Sequence, residues 1–317
     1  MAADVFTSTT AMANLVQTAY DKLVEFALRD QPMFRAVADK RPAQQSMPGS
    51  SVVFELYSDL AKQTATLSET VDVDAVAIPN PSLVTVTLNE YGAAVLNTRR
   101  LELFSLSNVK PAIANIVAFN MLDSVDDVVL TVLRNGTNVR REIAGAISTA
   151  AATGMTSTDI FKAKHVRYVV AKLRTAKVVP RKAGLYWCSI HPEVSHDLRI
   201  DAGAAGWRQP HEYSAPEQIW AGEIGQFEGA YFVESPRNYN AVDAGTGGNT
   251  VRSFRTLFAG QQALAEAVAE DFHVVVGNVT DKLKRFTPIG WYGVAGWARY
   301  REEALYRIET TSSINGS

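Results

Sequence analysis

Between Ser107 and Gly136 the chain carries one apolar stripe, Ile113, Val117, Met121, Val125, Val128 and Val132, repeating every three or four residues over about six turns. That spacing places side chains on one face of an α-helix. Ser107 suits the N-cap, and Pro111 is tolerated in a first turn whose amides lack helical partners anyway. Asn135-Gly136 ends the pattern, with the glycine as the C-terminal stop. No other regular element read from the chain is as long, so this helix is the expected spine of the fold. Asn115, Asn120 and Asp126 fall off the stripe and are expected on its polar far face.

Upstream, the first forty residues read as an arm with one helix. Val16, Tyr20, Leu23 and Ala27 share a face, Asp21, Lys22, Glu25 and Arg29 lie elsewhere, and Pro32 stops the pattern. A single apolar stripe of this kind docks on something. Residues 41–50, with Pro42, Pro48 and Gly49, break regularity. Two strand-like runs follow, Ser51–Tyr57 and Leu83–Leu88, the second alternating Val84, Val86 and Leu88 against Thr85 and Thr87. Residues 58–82 between them are rich in Thr, Ser, Asp and Pro and are too many for a tight turn, which predicts a long projecting hairpin. That excursion is acidic: Asp59, Glu69, Asp72 and Asp74 face only Lys62.

Downstream, Ser157-Thr158-Asp159 reads as a capped helix start, with Phe161, Val166, Val169, Val170 and Leu173 as the apolar face and Pro180 beyond its end. Leu185–Ile190 reads as a short buried strand, and His191-Pro192-Glu193 as the start of the next helix. Residues 201–250 alternate loops with short strands such as Ala230–Val233, residues 257–309 are mixed with β-type runs, and the polar Thr310–Ser313 is expected to fray. The chain has no internal repeat.

Composition narrows the function. The formal charge is −2, from 31 basic and 33 acidic residues, so the basic excess of a dedicated nucleic-acid binder is missing. Cys188 is the only cysteine, which excludes an intrachain disulfide and a cysteine metal site, and leaves open a bond between chains. Its apolar neighbours Leu185, Tyr186 and Trp187 read it as a small buried hydrophobe. No basic segment with an apolar core opens the chain and no run of about 18 apolar residues occurs, so the expectation is a soluble intracellular product that neither spans nor enters a membrane.

Candidate chemistry is sparse. His191, Glu193, His196 and Asp197 form the one dense group of potential ligands or bases, but the histidines stand five apart. A zincin pair stands four apart on one helical face. The reading favoured here is a strand-to-helix turn. Gly245–Thr250 lacks the lysine of a phosphate loop, and Gly222–Gly229 leads into a strand where a dinucleotide site needs a helix. Basic clusters at Arg99-Arg100, Arg134, Arg140-Arg141 and Arg174–Lys182 read as solvated faces or as contacts to an acidic surface. No catalytic, cofactor-binding or metal-binding residue is singled out. What remains is an α+β chain with a docking arm, a projecting hairpin and a long helix.

That order of elements resembles the HK97-like phage major capsid fold, and local runs sharpen the likeness to the branch including the N4-like phage capsid proteins. They are Ser189–Glu193 with Asp197–Arg199, Trp220–Gly225, Glu228–Pro236, Ile289–Trp291 and Glu303–Glu309. The resemblance implies an N-terminal arm at 1–48, an extended loop at 49–98, and a peripheral domain at 99–179 and 281–317 with its spine helix at 106–136. An axial domain takes 180–280. It implies a major capsid protein that self-assembles as hexamers and pentamers into the icosahedral head of a tailed phage, located in the virion and assembled in the host cytoplasm. A separate scaffolding protein, a portal, possibly a decoration protein, and packaged DNA by weak contact would be its partners. Some relatives cross-link a loop lysine, and Lys62 lies in that region. The expected intersubunit contacts set the acidic hairpin residues Glu69, Asp72 and Asp74 against Arg99 and Arg100 of the next copy, with arm residues Val16, Tyr20 and Leu23 supplying apolar burial. The competing readings are a metal-dependent enzyme or ligand-binding protein using 191–197, and a tail or portal-associated structural protein.

Overall fold

The computed structural model describes residues 32–42, 51–104 apart from 68, 71 and 74, 109–201, 225–278 apart from 239 and 247–249, and 281–316 apart from 282 and 284. In chain order its strands and helices are β1 (Ala38–Pro42), β2 (Ser51–Leu56), β3 (Ser82–Thr87), β4 (Asn89–Thr98), α1 (Arg99–Phe104), α2 (Val109–Arg134), β5 (Val139–Ile143), β6 (Ala146–Ser148) and α3 (Ala163–Thr175). There follow β7 (Tyr186–Ile190), α4 (Pro192–Ile200), β8 (Gln226–Phe227), β9 (Ala230–Glu234), β10 (Asn240–Ala244), β11 (Val251–Ala259), β12 (Leu264–Val276), β13 (Phe286–Arg299) and β14 (Leu305–Thr310).

Two sheets organise the molecule. A four-stranded sheet runs β1-β12-β13-β4, with β1 parallel to β12 and the rest antiparallel. An eight-stranded mixed sheet runs β6-β5-β14-β11-β7-β9-β8, with β10 paired to β11. Among the described residues the hairpin β2-β3 pairs only with itself, from Ser51 opposite Thr87 to Leu56 opposite Ser82. Its strands therefore fall within a residue of the runs read from the sequence.

The spine helix α2 packs on the four-stranded sheet. Val117 meets Ile289 and Trp291, with Ile113, Met121 and Phe272 at the margin. Its second half is buried more widely, through Val125, Val129, Leu130 and Leu133. The polar far face expected there is only partly found. Asn120 accepts a hydrogen bond from Trp291 Nε1 at 2.9 Å, and Asp126 is fully buried. The proposed cap Ser107 lies outside the described residues, and Gly136 closes the helix by donating to Leu133 O.

The helix expected from Ser157 starts later, at Ala163. Asp159 caps a preceding turn, accepting from the Thr156 amide at 2.7 Å and the Thr156 hydroxyl at 2.9 Å. Together α3 and α4 cover one face of the eight-stranded sheet, where Phe161, Val166, Leu173, Tyr186, Cys188, Ile190, Val194, Phe254 and Ile308 form a continuous core. On the other face, Arg141, Arg255 and Arg307 converge on the buried Glu309. Arg140 donates to the Tyr168 hydroxyl, and Arg181 pairs with Asp39. These basic residues are thus joined to named partners within the chain, where a solvated face was one expectation.

Strand pairing crosses the expected division at 180 and 281. β5, β6 and β14 share a sheet with β7, β9 and β11, while β12 pairs with β13 and β13 with β4. β4 itself lies in the stretch 49–98 expected to be loop; its run Gly92-Ala93-Ala94 hides the alternation that marks a strand. The C-terminal segment is also held, contrary to the fraying expected. Thr310, Thr311 and Ser312 are buried, Thr311 N donates to Asp159 O, and the Ser313 amide donates to Asp197 at 3.0 Å.

Candidate assembly surfaces

The base of the hairpin is anchored by small residues beneath it. Side chains 265 and 267 of β12 are alanines, and Phe54 and Val86 bury against them. Tyr300 closes the edge, its ring 5.9 Å from Phe54 in a T-shaped contact. Gly296 of β13 lets β3 cross directly over the sheet, because a Cβ there would lie 2.1 Å from Thr87 O. The hairpin base thus covers one half of the sheet face opposite α2.

Beyond the base the chain is bare. Every described residue from 57 to 80 is exposed, and Leu60, Leu67, Val73, Val76 and Ile78 are among the exposed large hydrophobics. Runs of exposed apolar side chains on this scale mark contact surfaces. Lys62, Glu69 and Asp72 lie on this stretch, all exposed, and Asp72 makes a local bond to the Val73 amide at 2.8 Å. Asp74 lies outside the described residues, as do Val16, Tyr20 and Leu23.

The other half of the same sheet face is an open apolar trough of about 520 Å³, with Gly92, Ala94, Val275, Gly277, Pro288 and Gly290 on its floor and Tyr292 as a wall. The sheet end past the trough is apolar and basic together. In register, Val95 faces Ile289 and Leu96 faces Pro288, and Thr98 leads into α1, whose first amide, Arg99 N, donates to Arg285 O at 2.8 Å. Leu103 and Phe104 are 71% and 78% exposed there, with the Arg100 guanidinium 5.7 Å from the Phe104 ring centre. Arg99 and Arg100 are therefore exposed beside an apolar tip, and no ion pair joins them to Glu69 or Asp72 within the chain, among the described residues. The apolar tip was not read from the sequence, since six residues in a helix give no periodicity to detect.

The 191–197 segment is built differently from a catalytic centre. His191 sits at the N-cap of α4, where its Nδ1 accepts from the Glu193 amide at 3.3 Å and its ring lies 4.8 Å from Phe254. Burial holds its pKa below the ordinary histidine value, with Glu193 opposing. Asp197 is committed to Ser313, and His196 is half exposed beside it. Five helical residues rotate the two rings apart. Among the described residues no group of three His, Cys, Asp or Glu side chains is placed to hold a metal ion. Cys188 is fully buried on β7, which takes its sulfur out of reach of another chain, and burial drives its thiol pKa well up. Among the described residues, no helix is long and apolar enough to cross a membrane.

Comparison with known proteins agrees with this architecture. The family model for phage capsid proteins matches residues 7–310. No curated protein matches. Among solved structures, the capsid of cyanophage Pam1 is similar with a TM-score of 0.77 at 12% identity, covering 100% of both chains. The capsid of Ralstonia phage GP4 is similar with a TM-score of 0.70 at 17% identity, covering 94% of this chain and 96% of that one. The head of Helicobacter pylori bacteriophage KHP40 gives 0.72 at 10% identity, covering 99% and 100%. At such identities the likeness shows the fold, which is HK97-like, and the family match supplies the function. The chain belongs to the phage capsid protein family, as a major capsid protein of the head shell and not an enzyme.

Proposed function

We propose that copies of this chain associate as hexamers and pentamers through the hairpin, each copy's residues 57–81 lying over the trough and basic tip of the next. The observation that carries this is the exposure of every described residue from 57 to 80, with five large hydrophobics that nothing among the described residues covers. The trough supplies apolar surface of the matching kind. Asp59, Glu69, Asp72 and Asp74 would meet Arg99 and Arg100, steering docking and setting register more than adding affinity. Many modest contacts of this kind make a shell that assembles reversibly and opens with difficulty, because a subunit held at one edge meets the others at high effective concentration.

Within this reading the unit built on α2 and the four-stranded sheet is the peripheral domain, and the unit built on the eight-stranded sheet is the axial domain. Val16, Tyr20 and Leu23 of the arm add apolar burial between copies. A scaffolding protein, a portal, a decoration protein and packaged DNA are the further partners, with assembly in the host cytoplasm. The near-neutral charge supports weak contact with DNA only.

Expression of the chain with and without a scaffold, followed by negative-stain electron microscopy, tests the assembly. Closed shells or isolated hexamers and pentamers are expected; rings or tubes would point to a tail or portal part. Reversing Asp72 and Asp74 to lysine tests the docking. The assembly threshold should rise at low salt and converge with the parent at high salt. An unchanged threshold across the salt series removes the charge pairing from the mechanism.

A further inference from the structure

Residues 33–40 do not lie on the surface as the start of a free arm: 33–37 pack at the junction of the two sheets through Phe34 and Val37, and β1 then joins the four-stranded sheet as its edge strand. Phe34, Val37 and Ala38 are buried in the cluster that joins α2, β12 and β13 to β7 and β11. Phe34 meets the Trp187 ring of β7 edge-on at 6.1 Å. The polar contacts reach both sides as well. Toward the spine, Asp126 Oδ1 accepts from the amides of Phe34 (2.7 Å) and Arg35 (3.2 Å), and Oδ2 from Met33 (3.2 Å). Arg35 Nε pairs with the fully buried Glu266 of β12 at 2.7 Å, and β1 runs parallel to β12. Toward the eight-stranded sheet, Arg181, just ahead of β7, reaches Ala36 O at 3.4 Å and Asp39 at 3.2 Å. Arg237, just after β9, bridges to Asp123 and Asp126 of the spine.

We infer that residues 33–39 are a wedge that sets the angle between the two sheet units, so that the seating of this segment and the shape of the subunit are coupled. The physical basis is that a buried segment bonded to two bodies removes relative motion between them, and withdrawing it leaves a cavity and unpaired amides at their junction. The connections from α2 to β5, from β11 to β12 and from β13 to β14 are short and would remain as the pivots.

The test uses the full chain in solution, spin-labelled at Glu90→Cys on β4 and Ala171→Cys on α3, both exposed. The native Cys188 is buried and stays unlabelled. Pulsed electron double resonance reads the distance distribution between the units, and hydrogen exchange reads the amides of 33–40. In Asp126→Ala, those amides should exchange about 10- to 100-fold faster, and the distance distribution should broaden. Should that variant fail to fold, Arg181→Gln removes the polar contacts to Ala36 and Asp39 while leaving the Phe34–Trp187 packing in place, and carries the expectation of a smaller broadening. Faster exchange with an unchanged distribution overturns the inference. So does full protection of 33–40 in a variant combining Phe34→Ala and Asp126→Ala, because the side chains named here would then not be what seats the segment.

Discussion

Gly296→Ala is the sharpest test of how the hairpin is held. The new Cβ would sit 2.1 Å from Thr87 O and 2.9 Å from both the Thr87 carbonyl carbon and Val86 Cγ1. Two of these are backbone atoms, so no side-chain rotation relieves the clash. A carbon and an oxygen tolerate about 3.3 Å, so β3 must retreat by about 1 Å. A gap of that size forfeits roughly a quarter to a half of the contact energy of the atoms that part. Burying Phe54 and Val86 is worth about 1.5–3 kcal/mol each, so the base should loosen by about 1–3 kcal/mol. A two-stranded ribbon has little stability of its own to absorb this. Hydrogen exchange in β2 and β3 should therefore accelerate about 5- to 150-fold, with the eight-stranded sheet unchanged, and the assembly threshold should rise. Parent-like protection in β2 and β3 would refute the claim that backbone-to-backbone packing at this glycine aims the hairpin.

Three further outcomes follow from buried groups. Glu309→Gln leaves Arg141, Arg255 and Arg307 without the carboxylate they share, and should cost about 3–5 kcal/mol of stability by chemical denaturation; a loss under about 1 kcal/mol would mean the guanidinium groups are effectively hydrated. Glu142 accepts from His165 and Lys164, and although burial opposes it, these donors hold its pKa below the usual 4.5. Its folded pKa is depressed, so its contribution is present above the ordinary carboxylate range and is lost as pH falls through the folded value. Glu142→Gln should lower stability at neutral pH and flatten that acid-side loss, and a pH–stability curve parallel to the parent's would contradict it. Cys188 should resist thiol reagents in the native chain and react fully once unfolded, as its burial and raised pKa require; rapid labelling under native conditions would show that β7 opens readily.

Much of the fold was legible because it is written in short periods. The stripe from Ile113 to Val132, the alternation at Leu83–Leu88, and Pro192 opening a helix after a buried strand all depend on neighbours within one or two turns. The exposed hairpin was legible for the same reason: residues 58–82 carry no period that would bury them. The turn at Glu228-Gly229 was not legible in this way: both residues have positive φ, 50° and 87°, as the tight connection of β8 to β9 requires, and a glutamate carries no local signal of that conformation. The trough was not, because Gly92, Val275 and Gly290 come together only when β4, β12 and β13 align.

The sequence by itself determined the spine helix, the hairpin with its exposed excursion, the buried strand β7 with the helix after it, the near-neutral charge, and, through the resemblance its runs carry, the family. Tertiary structure alone decided where the polar groups go. Asp126 reads as a solvent-facing acid on a helix, yet its amide donors lie 91 to 93 residues earlier in the chain and Arg237 lies 111 residues later. The segment 310–313 reads as a fraying tail, yet its partners are Asp159, Glu193 and Asp197. A buried polar side chain is stable only where distant donors and acceptors converge on it, and that convergence belongs to the folded chain and not to any stretch of it.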